Sequence, residues 1–374
     1  MARLLVGDEL GLVKGVEAAS LSDWVSGKVA SRWGEPDKRS AIQALCVSSR
    51  GGIADTDTSL MAVSKADMSM QVLDPMTGQV FADIRSSARQ KNKVTGLSML
   101  WQGTSLASRD VSLLSCTQEG LVRMHSPKDN TFRSNPASEW DELTSWSLAQ
   151  SACDCMAMHA TAEQIAVGGQ GAEMAVYDVV AQKQVFQAKG AKKDFLGLQD
   201  KPWVSALAWL PGGDNRKVIV GTGSSKIRLY DLASDMRRPV METSFKGQTK
   251  VTSVVANPAG VVWAANGAGC VQLWDITANR MMDALKGTAG SVRSLSLHPE
   301  EPLIASVGLD RWLRIHHTGT KKQLAKIYLK QQLTGVAWCP VAPPQEAPAA
   351  LEVAGTGTSK PKSATKSKKR KQAA

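Results

Sequence analysis

The strongest constraint in this 374-residue sequence is recurrence. Runs shaped like Val292-Arg293-Ser294-Leu295 return as Ile42-Gln43-Ala44-Leu45, Val94-Thr95-Gly96-Leu97, Cys153-Asp154-Cys155-Met156, Val204-Ser205-Ala206-Leu207, Val251-Thr252-Ser253-Val254 and Leu333-Thr334-Gly335-Val336. Successive starts are 52, 59, 51, 47, 41 and 41 residues apart. That spacing approaches the ~40–45 residues of a four-stranded propeller blade. Behind each run but the last sits a second apolar strand: LMAV at 60, LLSC at 113, IAVG at 165, VIVG at 218, VVWA at 261 and LIAS at 303. A third follows: MQVLD at 70, VRMHS at 122, MAVYD at 174, IRLYD at 227, VQLWD at 271 and LRIHH at 313. The clearest copy, residues 291–316, shows why the strands stop. His298-Pro299-Glu300-Glu301-Pro302 breaks the first run, because proline cannot donate to a ladder, and Gly308-Leu309-Asp310-Arg311 turns the chain. Such a unit cannot bury both its faces alone, so copies must flank it.

The third strands carry a further mark. Tyr177-Asp178, Tyr230-Asp231 and Trp274-Asp275 are aromatic–aspartate pairs at one place in the repeat, a degenerate form of the WD-repeat signature. The ends settle the ring. Leu4-Leu5-Val6-Gly7 reads as a second strand and Leu12 to Val16 as a third, with no first strand before them, while Leu333 to Pro340 is a first strand with no successors. Letting the last strand complete the first blade gives seven blades and removes open edges. The fold class is all-β: a seven-bladed WD-repeat β-propeller over 1–340, closed by a C-terminal strand. Residues 17–40 read as a join between the first two blades, and Ser126 to about Leu143 as a polar loop. Past Pro340 the sequence collapses to Pro, Ala, Ser, Thr and Lys, the composition of a disordered basic tail over 341–374.

Formal net charge is +11, of which the tail supplies seven bases and no acid from Ala354 onward, leaving about 11 − 7 = +4 for the body. Lys366, Lys368, Lys369, Arg370 and Lys371 form a dense run that reads as a nuclear-localisation signal. The six cysteines are scattered. Cys153 and Cys155, two apart on a strand, are expected to face the same way as small core residues, without partners at zinc spacing. No cofactor and no metal is implied. The N-terminus lacks a signal-peptide core and no apolar run reaches membrane-spanning length, so the expectation is a soluble, intracellular, reduced protein with no membrane partner.

Catalytic chemistry is missing from the sequence. Gly221-Thr222-Gly223-Ser224-Ser225-Lys226 resembles a phosphate loop but lies between two strands, where a hairpin turn is expected. His316 and His317 are adjacent and point to opposite faces, a poor start for a shared metal. His159 and His298 each close a first strand and read as structural, and Asp310 reads as a turn acid accepting backbone amides. No Gly-x-Ser-x-Gly elbow is present, so neither an enzyme nor a small-molecule substrate is expected.

The stretch LKGTAGSVRSLSLHPEEPLIASVGLDRWLRIH (285–316) with KIYLK (326–330), KGAKKDFLGL (189–198), RRPVMETSF (237–245) and LLVGDELGLVKGV (4–16) closely resembles a nucleolar ribosome-assembly family. That family contains WD-repeat protein seventy-four and the yeast Nop-seven-associated protein one. Lys286-Gly287 stands where other WD repeats carry Gly-His. The resemblance implies a non-enzymatic factor for assembly and rRNA processing of the large ribosomal subunit precursor, in the nucleus and nucleolus. Implied partners are the pre-ribosomal particle, other large-subunit assembly factors, rRNA directly, and an AAA-type ATPase in release. The same features would suit a chromatin or histone-binding adaptor. A ubiquitin-ligase substrate receptor is a third reading, weakened because Val180, Ala233 and Thr277 stand where Trp-Asp-x-Arg would place arginine.

The expected partner or RNA surface is the face carrying the links from outer to next inner strands, at 85–93, 143–152, 189–202, 246–250, 286–291 and 330–332. They supply Arg85, Arg89, Lys91, Lys93, Lys189, Lys192, Lys193, Lys201, Lys246, Lys250, Lys286 and Lys330. The turns between second and third strands share this face and add Arg311. Phe195 and Trp203 interleave with the lysines as aromatic anchors.

Overall fold

Within each sheet strands adjacent in sequence pair, and one further pairing joins the first described strand to the last. The structure is a computed structural model describing residues 2–21, 23–48, 59–85, 92–101, 111–128, 132–133, 139–150, 152–191, 197, 200–212, 216–245, 249–276 and 278–339. The chain divides into a unit of residues 1–343 and a second of 344–374, and the second lies outside the described residues, as does the expected tail.

The described residues form seven four-stranded antiparallel sheets and no α-helix. Blade one holds β1 (Ala2–Asp8), β2 (Val13–Ala18) and β3 (Lys28–Trp33). Blade two is β4 (Ile42–Ser48), β5 (Leu60–Lys65), β6 (Ser69–Leu73) and β7 (Val80–Arg85), and blade three β8 (Val94–Trp101), β9 (Val111–Thr117), β10 (Leu121–Pro127) and β11 (Trp140–Ser147). Blade four is β12 (Cys155–Met158), β13 (Gln164–Gly169), β14 (Ala172–Asp178) and β15 (Lys183–Gln187). Blade five is β16 (Val204–Trp209), β17 (Lys217–Thr222), β18 (Lys226–Asp231) and β19 (Met241–Ser244). Blade six is β20 (Val251–Ala256), β21 (Val261–Asn266), β22 (Val271–Asp275) and β23 (Arg280–Ala284), and blade seven β24 (Val292–Leu297), β25 (Leu303–Gly308), β26 (Trp312–His317) and β27 (Gln323–Tyr328). The last strand, β28 (Leu333–Trp338), pairs with β1, Leu4 opposite Trp338 and Val6 opposite Val336. The ring closes as the sequence implied.

Two readings of the outer strands are corrected. The stretch 17–40 is not only a join: β3 lies in it, pairing Val13 with Trp33 and Lys14 with Arg32. The supposed loop from Ser126 to Leu143 contains the start of β11, which pairs with β10 from Pro127–Trp140 to Leu121–Ser147. Outer strands face water on their free side, so their sequences alternate weakly and carry charge. The second strands bury both faces, which is why they read as continuous apolar runs. Leu4 and Val6 point toward blade seven, and Leu5 toward blade two.

The core consists of seven apolar clusters, one for each interface between neighbouring blades. In six blades the inner strand carries a bulge at its second residue: Gln43, Thr95, Ser205, Thr252, Arg293 and Thr334. A bulge breaks the two-residue alternation. The expectation for the cysteines is corrected on another ground: β12 begins at Cys155, so Cys153 lies before the strand and the alternation does not reach it. Cys153 packs at the interface of blades three and four, and Cys155 at that of blades four and five.

Candidate functional site

The side chains that shape the link-bearing face begin with the aromatic–aspartate pairs. In two of these pairs, and at His316 of blade seven, the aromatic reaches back to the link that enters its own blade. The Tyr177 hydroxyl accepts the Ala149 amide at 3.1 Å, the Tyr230 hydroxyl donates to the Lys189 carbonyl at 3.4 Å, and His316 Nε2 donates to the Lys286 carbonyl at 3.1 Å. The aspartate then caps the turn to the outer strand: Asp178 accepts Ala181 N–H at 2.6 Å, Asp231 accepts Ala233 N–H at 2.9 Å and Asp275 accepts Ala278 N–H at 3.0 Å. His317 does the same work with Nδ1, which accepts the amides of Gly319 and Thr320. The adjacent histidines of blade seven are thus the aromatic and the acid of a degenerate signature. Burial holds the His316 imidazole below its ordinary pKa, against the pull of the Lys286 carbonyl, with the Arg314 charge adding to the depression. His298 Nδ1 accepts Glu300 and Glu301 amides, and His159 bonds Thr161, both as turn caps.

Backbone bonds tie the turns to the links. Glu9 N–H donates to the Gln332 carbonyl, Gln118 N–H to Lys93, Gly223 N–H to Trp203, Gly267 N–H to Lys250 and Leu309 N–H to Ser291. Turns and links therefore share one face. On it Lys93, Lys189, Lys201, Lys286, Arg311 and Lys330 are exposed. Leu329 N–H donates to the Arg311 carbonyl, which puts Arg311 and Lys330 side by side, both with positive φ (70° and 69°). The link written as 143–152 begins later, because β11 runs through Ser147. Arg89, Lys91, Lys192, Lys193, Phe195 and Lys246 lie outside the described residues, as do Lys366, Lys368, Lys369, Arg370 and Lys371.

Two of the expected contacts are drawn into the fold. Trp203 is half-buried against Gly223, where a Cβ would stand 2.1 Å from the indole, and the Lys250 ammonium sits 5.0 Å from its ring centre. That pair is a cation–π contact within the protein. Arg85 stays in water, 81% exposed, with Asp83 at 3.2 Å. The phosphate-loop lookalike is a turn, with Thr222 Oγ1 accepting Lys226 N–H at 2.9 Å and Ser225 at φ 62°.

Bases beneath the face neutralise several of its acids. Lys14 bonds Asp8 at 2.8 Å and the Leu329 carbonyl at 2.8 Å, both side chains buried. Arg314 pairs with Asp310, whose other oxygen takes the Trp312 amide. Arg228, 2% exposed, donates Nε to Glu242 at 2.7 Å and reaches Glu173 and Asp200 at 3.4 Å each, while Lys226 bonds Asp200 at 2.6 Å. The sequence reading missed these, and it missed Arg293. As a bulge residue on the innermost strand Arg293 is exposed, whereas Gln43, Ser205 and Thr252 hydrogen-bond to backbone. Its place beside Ser294 in the recurrent run was the available signal. Among the described residues no three His, Cys, Asp or Glu side chains gather as metal ligands, and no helix is long and apolar enough to cross a membrane.

The comparisons agree with this architecture. Residues 280–317 match the model of the WD domain, G-beta repeat, which frames β23 with β24 to β26, one outer strand followed by three strands of the next blade. WD repeat-containing protein 74 of Homo sapiens is 32% identical over 333 residues, covering 88% of this chain and 78% of that protein. The Bos taurus protein of the same name is 31% identical over 334 residues, with the same coverage of 88% and 78%. Ribosome biogenesis protein NSA1 of Meyerozyma guilliermondii is 22% identical over 175 residues, covering 41% of this chain and 44% of that protein. The computationally designed Ika8 protein superposes with a TM-score of 0.58 at 13% identity, over 89% of this chain and 86% of its own, a likeness of fold alone. WD-repeat propellers are generally non-catalytic scaffolds. The chain belongs to the WD repeat-containing protein 74 family.

Proposed function

We propose that the protein is a non-enzymatic ribosome biogenesis factor, a WD-repeat scaffold acting in assembly and rRNA processing of the large ribosomal subunit precursor in the nucleolus. The observation that carries this reading is the likeness both to WD repeat-containing protein 74 and to a relative named as a ribosome biogenesis protein. The link face supports it. Its exposed lysines and arginines stand over acids already met by Lys14, Arg228 and Arg314, so the charge presented outward is basic, the footprint of phosphate binding without sequence readout. Partners in this reading are the pre-ribosomal particle, other assembly factors, rRNA itself and an AAA-type ATPase.

The test is sedimentation of extracts carrying Lys189→Glu, Arg311→Glu and Lys330→Glu together. Exposed charges contribute little to folding, so the melt should stay within about 1 kcal/mol of the parent. Co-migration with large-subunit precursors should weaken, most at low salt, through lost counterion release. A folded triple variant that still co-sediments normally overturns the assignment of this face, and a parent chain that never co-sediments overturns the ribosomal role.

A further inference from the structure

Between blades one and two lies an open groove of about 350 Å³. Buried Val13, Val63 and Leu73, with the edge of Trp33, form its floor, and Glu35, Asp37, Asp67 and Asp83 stand on its rim against Lys65 and Arg85. Other blades show what this place is built to hold. The residue of the turn with positive φ aligns the repeats: Met68 at 68°, Ser225 at 62° and Arg311 at 70°. Three residues on come Gln71, Arg228 and Arg314, each on the third strand opposite Val63, Val220 and Ser306.

In blade five that residue is an arginine clamped by Glu242, its cross-strand partner, and in blade seven an arginine paired with Asp310, four residues before it. Blade two keeps both acids and lacks the base. Asp83 is the cross-strand partner of residue 71, and Asp67 stands four residues before it. Gln71 reaches Asp83 only at 3.5 Å, and the Asp83–Arg85 pair is mostly in water, where such pairs are weak. One Asp67 oxygen takes Ser69 N–H at 3.0 Å and Ser69 Oγ at 2.6 Å, and the other, among the described residues, is met by Ser40 Oγ at 3.4 Å.

We propose that this groove receives an arginine side chain presented by an extended segment of a partner protein. The guanidinium takes the place that Arg228 and Arg314 fill from within, forking between Asp67 and Asp83, and its stem lies on the apolar floor. Arginine fits better than lysine because a planar fork can meet two carboxylates at once. The groove opens beside the turn and link of blade two, where the acidic rim repels phosphate, so charge sets it apart from the basic part of that face and the proposal stands apart from the ribosomal reading.

Fluorescence anisotropy of the full chain with a short labelled peptide, one central arginine between alanines and valines, tests it. Asp67→Asn with Asp83→Asn should weaken binding roughly tenfold or more, as should citrulline in place of the arginine. Gln71→Arg should close the groove from inside and abolish binding, with the melt unchanged or raised. Equal binding by the citrulline peptide, or undiminished binding by both variants, overturns the proposal. Free arginine displacing the peptide as well as unlabelled peptide does would make the occupant a small cation and overturn it too.

Discussion

Arg228 shows how single residues hold neighbouring blades together. Its guanidinium joins β18 to Glu242 on β19, to Glu173 in the preceding blade and to Asp200 in the link between them. Replacing it with methionine keeps the stem and strands Glu173, while Lys226 still holds Asp200 at 2.6 Å and Glu242 at 3.0 Å. Because Glu242 and Asp200 are about a quarter exposed, water tempers the loss, and we expect about 2 kcal/mol at pH 7.5, below the penalty for breaking a fully buried pair. Burial already raises the folded pKa of Glu173, with Arg228 opposing and Glu242 and Asp200 adding to the rise. Removing the arginine raises it further. An acid whose folded pKa lies above its unfolded value costs stability fully above the folded pKa, and the cost vanishes as pH falls below the unfolded one. The defect of Arg228→Met should therefore shrink from pH 7.5 to pH 4.5. Denaturant melts at both values check it, and a defect that grows on acidification contradicts the network. The sequence hid this site, since Arg228, Glu242, Glu173 and Asp200 are scattered through the chain and meet only through blade register. His317 was hidden in another way: the sequence spoke against a metal shared with His316 but gave no sign of an aspartate surrogate that caps a turn.

At the scale of elements, legibility followed burial. Inner, second and third strands are packed on both sides, so their apolar runs stood out, while β3 and β11 carry Lys28, Arg32, Asp141 and Glu142 on the solvent edge and read as loops. The inner-strand bulges were invisible to a strict two-residue period, and the cysteines were placed on one face because Cys153 was counted into a strand that starts only at Cys155. β28 was legible because its run repeats the others, and its role can be measured. Removing residues 331–374 takes away Leu333, Val336 and Trp338, all under 7% exposed, and bares the edge of β1. Burial of three such side chains is worth on the order of 5 kcal/mol, a large part of typical domain stability. Removing only 345–374 should leave the melting temperature unchanged. Thermal melts of the two truncations should separate widely, and coincident melts contradict ring closure.

For the whole molecule, charge divides into two parts with different expected uses. The body carries about +4, concentrated by the link face, and the last twenty residues carry seven bases without an acid. A ribosome assembly factor must first reach the nucleus, and the run Lys366-Ser367-Lys368-Lys369-Arg370-Lys371 has the density of charge that import receptors and nucleic acids both recognise. Two fusions separate the contributions. A small fluorescent reporter carrying residues 355–374 should concentrate in the nucleus, and Lys368→Ala, Lys369→Ala and Arg370→Ala together should spread it through the cell. A reporter carrying residues 1–344 retains the closing strand and the basic face, and it should lose nuclear concentration if the run is the address. Should the longer fusion accumulate in the nucleus while the tail reporter spreads evenly, the address belongs to the propeller, and the tail serves solubility or phosphate contact instead.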